Sequence, residues 1–205
     1  MSMVRAIVVA LGLLATGSAA SAAERLVLGP YPGMTWHDVV NQTNGIHFFR
    51  ERMPEGQTPD NFPDLMTSQS ITDYRGPPDR FLSTTFAQLG QNCDTVETVG
   101  PTVTEESGHQ VAYGRLYCGR QKGQANGVHI FFKVILGSDA LYVIDRDFKI
   151  PASDHPSTPA LPEAQAIPFL QAEGAARKYL TDQVFICDPV FPEPRCSGEA
   201  LPTGR

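Results

Sequence analysis

An α+β fold, an antiparallel sheet with helices packed on one face and two disulfides, is what this chain predicts. Three observations carry that reading. Four consecutive segments between residues 95 and 148 have strand patterning. Shorter segments with helical spacing open at prolines. Four cysteines follow an apolar leader.

Residues 1–23 have the parts of a secretory signal peptide. Arg5 supplies the positive charge, Ala6 to Ala15 the apolar stretch, and Ala20-Ser21-Ala22-Ala23 the small residues of a cleavage site. The apolar stretch falls short of the about 20 residues that span a bilayer. Cleavage there leaves 182 of the 205 residues and lowers the net charge from −6 to −7. Residues 24–205 are then long enough for a single domain with a real core. A content of 41% hydrophobic and 19% charged residues describes a globular chain. An acidic surface without a Lys/Arg stripe argues against nucleic acid and against anionic membranes as partners. No later apolar run calls for membrane insertion after the leader is removed.

The elements follow in order. Residues 24–45, rich in Gly and Pro, suit an extended entry with one short strand or turn. Ile46 to Arg52 reads as a strand, and Pro54-Glu55-Gly56 ends it. Thr58-Pro59-Asp60 has the hydroxyl, proline and acid of a helix start. Phe62, Leu65 and Met66 at i, i+3 and i+4 predict a short amphipathic helix, and Thr67 to Asp73 a second strand. Pro77-Pro78-Asp79 opens a helix with Phe81, Leu82, Phe86 and Leu89 on its apolar face, stopped at Gly90. Thr95 to Val99, Gln110 to Cys118, Val128 to Leu136 and Ala140 to Phe148 are strands. Turns fall near Glu105 to Gly108 and at Gly137-Ser138-Asp139. Val128 to Leu136 is apolar at nearly every position, so both faces are covered, which marks a central strand with a helix layer over one face. A proline-rich stretch, Pro151 to Pro162, leads to a last helix over Pro168 to Thr181, with Leu170, Tyr179 and Leu180 facing inward.

Cys93, Cys118, Cys187 and Cys196 are an even set in an exported chain, which favours two disulfides. Of the three possible pairings, Cys93–Cys118 with Cys187–Cys196 is favoured: the hairpin turning near Glu105 to Gly108 brings Cys93 to Cys118. Cys187 and Cys196 bracket a proline-rich loop, and a bridge there ties down the C-terminal tail. Each bridge contributes about 2–4 kcal/mol.

This element order, with Arg50-Glu-Arg-Met-Pro-Glu-Gly-Gln-Thr58 and the Pro59 to Met66 segment, resembles a group of uncharacterised exported bacterial proteins. In overall layout it also resembles the PsbP/DcrB-like α+β fold. That resemblance implies an accessory or binding role without a common active site, and it transfers no functional residue.

Catalytic, cofactor and metal motifs are absent from the sequence. There is no Gly-x-Ser-x-Gly elbow, no phosphate loop and no His-Glu-x-x-His. Gly119 to Gly127 carries two cations but lies between strands, so it reads as a hairpin loop. His37, His47, His109, His129 and His155 share no metal-ligand spacing, and no cofactor or metal is expected. Asp145, Asp147 and Lys149 fall on one strand face, read as a solvated polar edge. Trp36-His37 and Phe48-Phe49 read as core aromatics rather than a ligand patch.

The expected function is therefore that of a non-enzymatic periplasmic or secreted accessory protein that binds an envelope protein or a small ligand. Two alternatives are a periplasmic hydrolase with a dispersed site built on His109 or His129, and an inhibitor or immunity protein. A thiol titration of the denatured, unreduced mature protein should find no free thiol; four would refute the paired-cysteine reading.

Overall fold

The computed structural model describes residues 24–31, 33–58, 63–188, 196 and 199–200. The signal-peptide reading of residues 1–23 and the helix start at Pro59-Asp60 lie outside the described residues.

Two antiparallel sheets make up most of the chain. The larger has seven strands: β2 Trp36–Asn44, β3 His47–Pro54, β4 Asp64–Thr72, β5 Cys93–Glu106, β6 His109–Gln121, β7 Asn126–Leu136 and β8 Ala140–Pro151. Their spatial order is β2-β3-β4-β8-β7-β6-β5. The smaller sheet sets β1 Arg25–Leu28 between β9 Val184–Cys187 and β10 Glu199–Ala200. There are two described helices, α1 Pro78–Gly90 and α2 Glu163–Asp182.

This overturns the expected fold class in two respects. The protein is mostly β, and its helices do not share one face of the sheet. On β7, Ile130, Phe132 and Val134 pack in one cluster with Leu82 and Phe86 of α1. Phe131 and Ile135 pack in another with Ala176, Tyr179 and Leu180 of α2. Successive side chains of a strand point to opposite faces, so the helices flank the sheet from opposite sides. The unbroken apolar pattern of β7 records that double cover.

The expected helix across Leu65 and Met66 is also corrected. Both belong to β4, where Asp64 through Ser68 are all buried. Adjacent apolar residues of a strand buried on both faces fill opposite layers, which imitates part of a helical spacing. The entry segment holds two strands, β1 and β2, rather than one. The last helix begins at Glu163 and carries Pro168 inside. Leu170 is 61% exposed, so Glu173, Ala176, Tyr179 and Leu180 form the inward stripe instead.

Both disulfides are present. Cys93–Cys118 joins neighbouring strands β5 and β6, and Cys187–Cys196 closes the segment after β9. The turns at Ser107-Gly108 and Gly137–Asp139 stand where the sequence places them. Ser107 and Gly108 both have positive φ, the backbone a tight hairpin needs.

The centre of the molecule holds a charge. Arg146 of β8 has no exposed surface, and its Nη2 donates to both carboxylate oxygens of Asp64 at 2.7 and 2.5 Å. Its Nε donates to Oδ1 at 3.2 Å. Tyr31 and Trp36 lie over the guanidinium at 4.5 and 4.7 Å, and Phe148 at 5.6 Å. Trp36 is half-buried, packs against the core cluster and covers a cation. Removing one member of a buried ion pair strands the other in low dielectric. Asp64→Ala should cost about 3–5 kcal/mol in a denaturant unfolding experiment, far more than the exposed Lys178–Asp182 pair.

Candidate functional site

On β6 the odd-numbered residues from 109 to 117 face α2 and the even-numbered ones face α1. Between that odd row and the C-terminal half of α2 runs a furrow with two chambers, which share Thr181.

The first chamber has a volume of about 250 Å³. Phe131 and Leu180 give it an apolar floor, and Val99, Thr102, Tyr113 and Thr181 its sides. Arg115 and Arg177 stand at its rim. Arg115 donates to the Tyr117 hydroxyl at 3.1 Å and lies 5.9 Å from that ring, so one guanidinium is held in place. Burial pushes the Tyr117 hydroxyl pKa up, and the charge of Arg115 opposes the rise. Gly114 supplies no side chain here; a Cβ would meet Phe86 and Leu82 of α1 at 2.6 and 2.9 Å. Glycine therefore lets α1 press on the far side of β6.

A polar septum divides the chambers. Glu106, at the end of β5, accepts from the Tyr113 hydroxyl at 2.6 Å and from Lys133 Nζ at 2.6 Å. Lys133 has no exposed surface and also donates to the Val184 carbonyl at 2.7 Å. Burial first, then the Glu106 carboxylate, raise the Tyr113 pKa far above its ordinary value. The phenol stays protonated and keeps donating.

The second chamber, about 350 Å³, is lined by Glu106, Ser107, His109, Val111, Ile135 and Ile186 among others. His109 stands there beside two carboxylates of the small sheet, Glu24 and Asp188. Its Nδ1 is 3.9 Å from Glu24 Oε2. Sequence spacing had shown no partner for His109, because residues 24, 109 and 188 meet only through docking of the two sheets.

The other histidines are dispersed. His129 is buried on β7 with both nitrogens engaged, Nδ1 with Glu173 Oε1 at 2.6 Å and Nε2 with the Pro156 carbonyl at 2.7 Å. It fastens α2 and the proline-rich segment to the sheet and leaves no nitrogen free to act as a base. His47 pairs with Gln69 at 3.0 Å, and His155 is exposed.

The reading of Asp145 and Asp147 as a solvated edge is wrong. β8 lies inside the seven-stranded sheet, between β4 and β7. The register sets Glu51 opposite Thr67 and Thr67 opposite Asp145, so these three share a face with Asp147. Asp145 is only 6% exposed. Burial pushes its pKa up to about 7, while hydrogen bonds to Thr67 and Asp147 oppose the rise. Asp147 is raised well above the usual carboxylate range, by burial first and then by the charge of Asp145. A buried and a half-buried carboxylate side by side hold protons that free ones would release. The two chambers do not reach this pair, so it has no route to a substrate from the furrow. No sequence signal distinguished it from an exposed row; only the strand order buries it.

No family model matches this chain, and no curated protein matches it. Among solved structures it is similar to the crystal structure of LpqN, described as involved in cell envelope biogenesis of Mycobacterium tuberculosis. The two share 14% identity over 84% of this chain and 88% of that one, with a TM-score of 0.45.

The buried carboxylates set a pH dependence. Asp145 is raised in the folded state, so its stabilisation is full below the unfolded value of 3.8 and is lost as pH rises through about 7; Asp147, also raised, acts with the same sign. Each such proton gives a slope of about −1.4 kcal/mol per pH unit inside that window. Unfolding free energies measured from pH 4 to 8 should fall with this sign. Asp145→Asn should flatten the fall, and an unchanged slope would refute the assignment.

Proposed function

We propose that this chain is an exported, non-enzymatic binding protein whose ligand is a small amphipathic anion seated in the first chamber. Arg115 and Arg177 over the floor of Phe131 and Leu180 carry the reading. Two guanidiniums match the planar geometry of a carboxylate or phosphate. The floor buries an aryl or short alkyl group, and Thr102 and Thr181 offer hydroxyls to fix its orientation. The chamber volume suits a ligand of modest size rather than a polymer.

Export rests on the leader-like residues 1–23 and on two disulfides with no free cysteine. No described helix is long and apolar enough to cross a membrane. The hydrolase alternative loses one base, since both nitrogens of His129 are committed to structural bonds. The first chamber holds arginines, hydroxyls and aromatics but no carboxylate or histidine to move a proton.

Thermal-shift screening with aryl and short alkyl carboxylates and phosphates should give ligands that raise the melting temperature, followed by calorimetry for affinity. Arg177→Ala, on the exposed side of α2, should weaken the best ligand at least tenfold with the fold unchanged. Phe131 and Leu180 line the core, so their substitutions are poorer tests. No stabilising anion, or an affinity indifferent to Arg177→Ala, would exclude the proposal.

A further inference from the structure

The anion reading uses only the first chamber; the other end of the furrow has different chemistry. We propose that Glu24, His109 and Asp188 form a binding site for a divalent transition-metal ion, with zinc best suited to its donors.

One ring nitrogen of His109 and one carboxylate oxygen from each of Glu24 and Asp188 lie within 4.8 Å of one another. A zinc ion bound at about 2.0–2.2 Å holds tetrahedral ligand atoms roughly 3.4 Å apart, so a small closure of three side chains completes the contact. The donors come from the residue before β1, the start of β6 and the residue after β9, three segments joined by the docking of the two sheets.

Two features separate this group from a chance cluster. His109 is 9% exposed, and its Nε2 is buried without a hydrogen-bond partner. A buried imidazole whose bonding capacity is unspent pays a desolvation cost that coordination would recover. Glu24 is 3% exposed and is aimed from outside the cluster. The Ser138 amide and hydroxyl both donate to its Oε2 at 2.7 Å, as the partners of a metal-ligating carboxylate do. A side chain at position 137 would overlap this carboxylate, so Gly137 opens the cradle that receives it. Among the described residues, His109 is the only basic side chain in ion-pair range of Glu24.

One imidazole and two carboxylates suit zinc better than calcium, which seeks six to eight oxygens. Three protein ligands also leave a coordination position open towards the second chamber that His109 lines. The site stands apart from the anion chamber, so each reading can fail alone.

Chelator-treated, tag-free mature protein titrated with zinc chloride in a calorimeter should bind one ion per chain. Asp188→Asn and His109→Gln should each weaken binding at least tenfold, while His155→Ala and Arg177→Ala leave it unchanged. Should the ligand variants lose their fold, cobalt(II) bound to the wild-type chain should show the visible absorption of a four-coordinate site with nitrogen and oxygen donors. No saturable zinc binding, equal affinity in Asp188→Asn, loss in His155→Ala, a purely six-coordinate cobalt spectrum, or calcium competing at equal concentration would overturn the proposal.

Discussion

A guanidinium with no exposed surface sits in the middle of the seven-stranded sheet, and much of the fold is arranged to keep it there. Arg146 is held by a bidentate pair with Asp64 and by the faces of Tyr31, Trp36 and Phe148. A buried charge is tolerable only when paired and hydrogen-bonded, so each of those groups must arrive in register. Asp64 brings β4 beside β8. Trp36 starts β2, and Tyr31 carries the chain between β1 and β2 over the core. Tyr31 also packs on Tyr179 at 5.0 Å, and the Tyr179 hydroxyl donates to the Gly29 carbonyl at 3.1 Å. The position of α2 therefore follows partly from the ion pair.

With α2 so placed, its C-terminal half stands off the odd-numbered row of β6, and the furrow is the space left between them. Glu106 divides that space because two buried donors, Tyr113 and Lys133, both need an acceptor. The consequence is a furrow with opposite chemistry at its ends: arginines over an apolar floor on one side, an imidazole and two carboxylates on the other. Two polar groups of the sheet that the sequence singled out lie outside the furrow. His129 has both nitrogens engaged, and the Asp145–Asp147 pair lies on the sheet face that it shares with Glu51 and Thr67.

Several elements were legible in the residues themselves. The proline-led turn that ends β3, the proline-led start of α1, the Ser107-Gly108 and Gly137–Asp139 hairpins, and both cysteine pairs reflect local rules that need no neighbour. Other readings failed where local and tertiary signals differ. Leu65 and Met66 mimic a helix because a strand buried on both faces needs adjacent apolar residues. Leu170 looks inward on a helical wheel begun at Pro168, but α2 begins five residues earlier and turns Glu173 to the core instead. Asp145 and Asp147 alternate like an exposed strand, yet β8 pairs with β4 and β7 on its two sides.

The sequence by itself determined where strands turn, which cysteines pair and that β7 would be covered twice, because each depends on residues close in the chain or on a strand's own pattern. Only the tertiary structure decided that the helices take opposite faces, that Arg146 meets Asp64 across 82 positions, and that Glu24, His109 and Asp188 converge. Strand order and sheet docking are choices among distant partners. Their free energy lies in contacts that no segment of the chain contains alone.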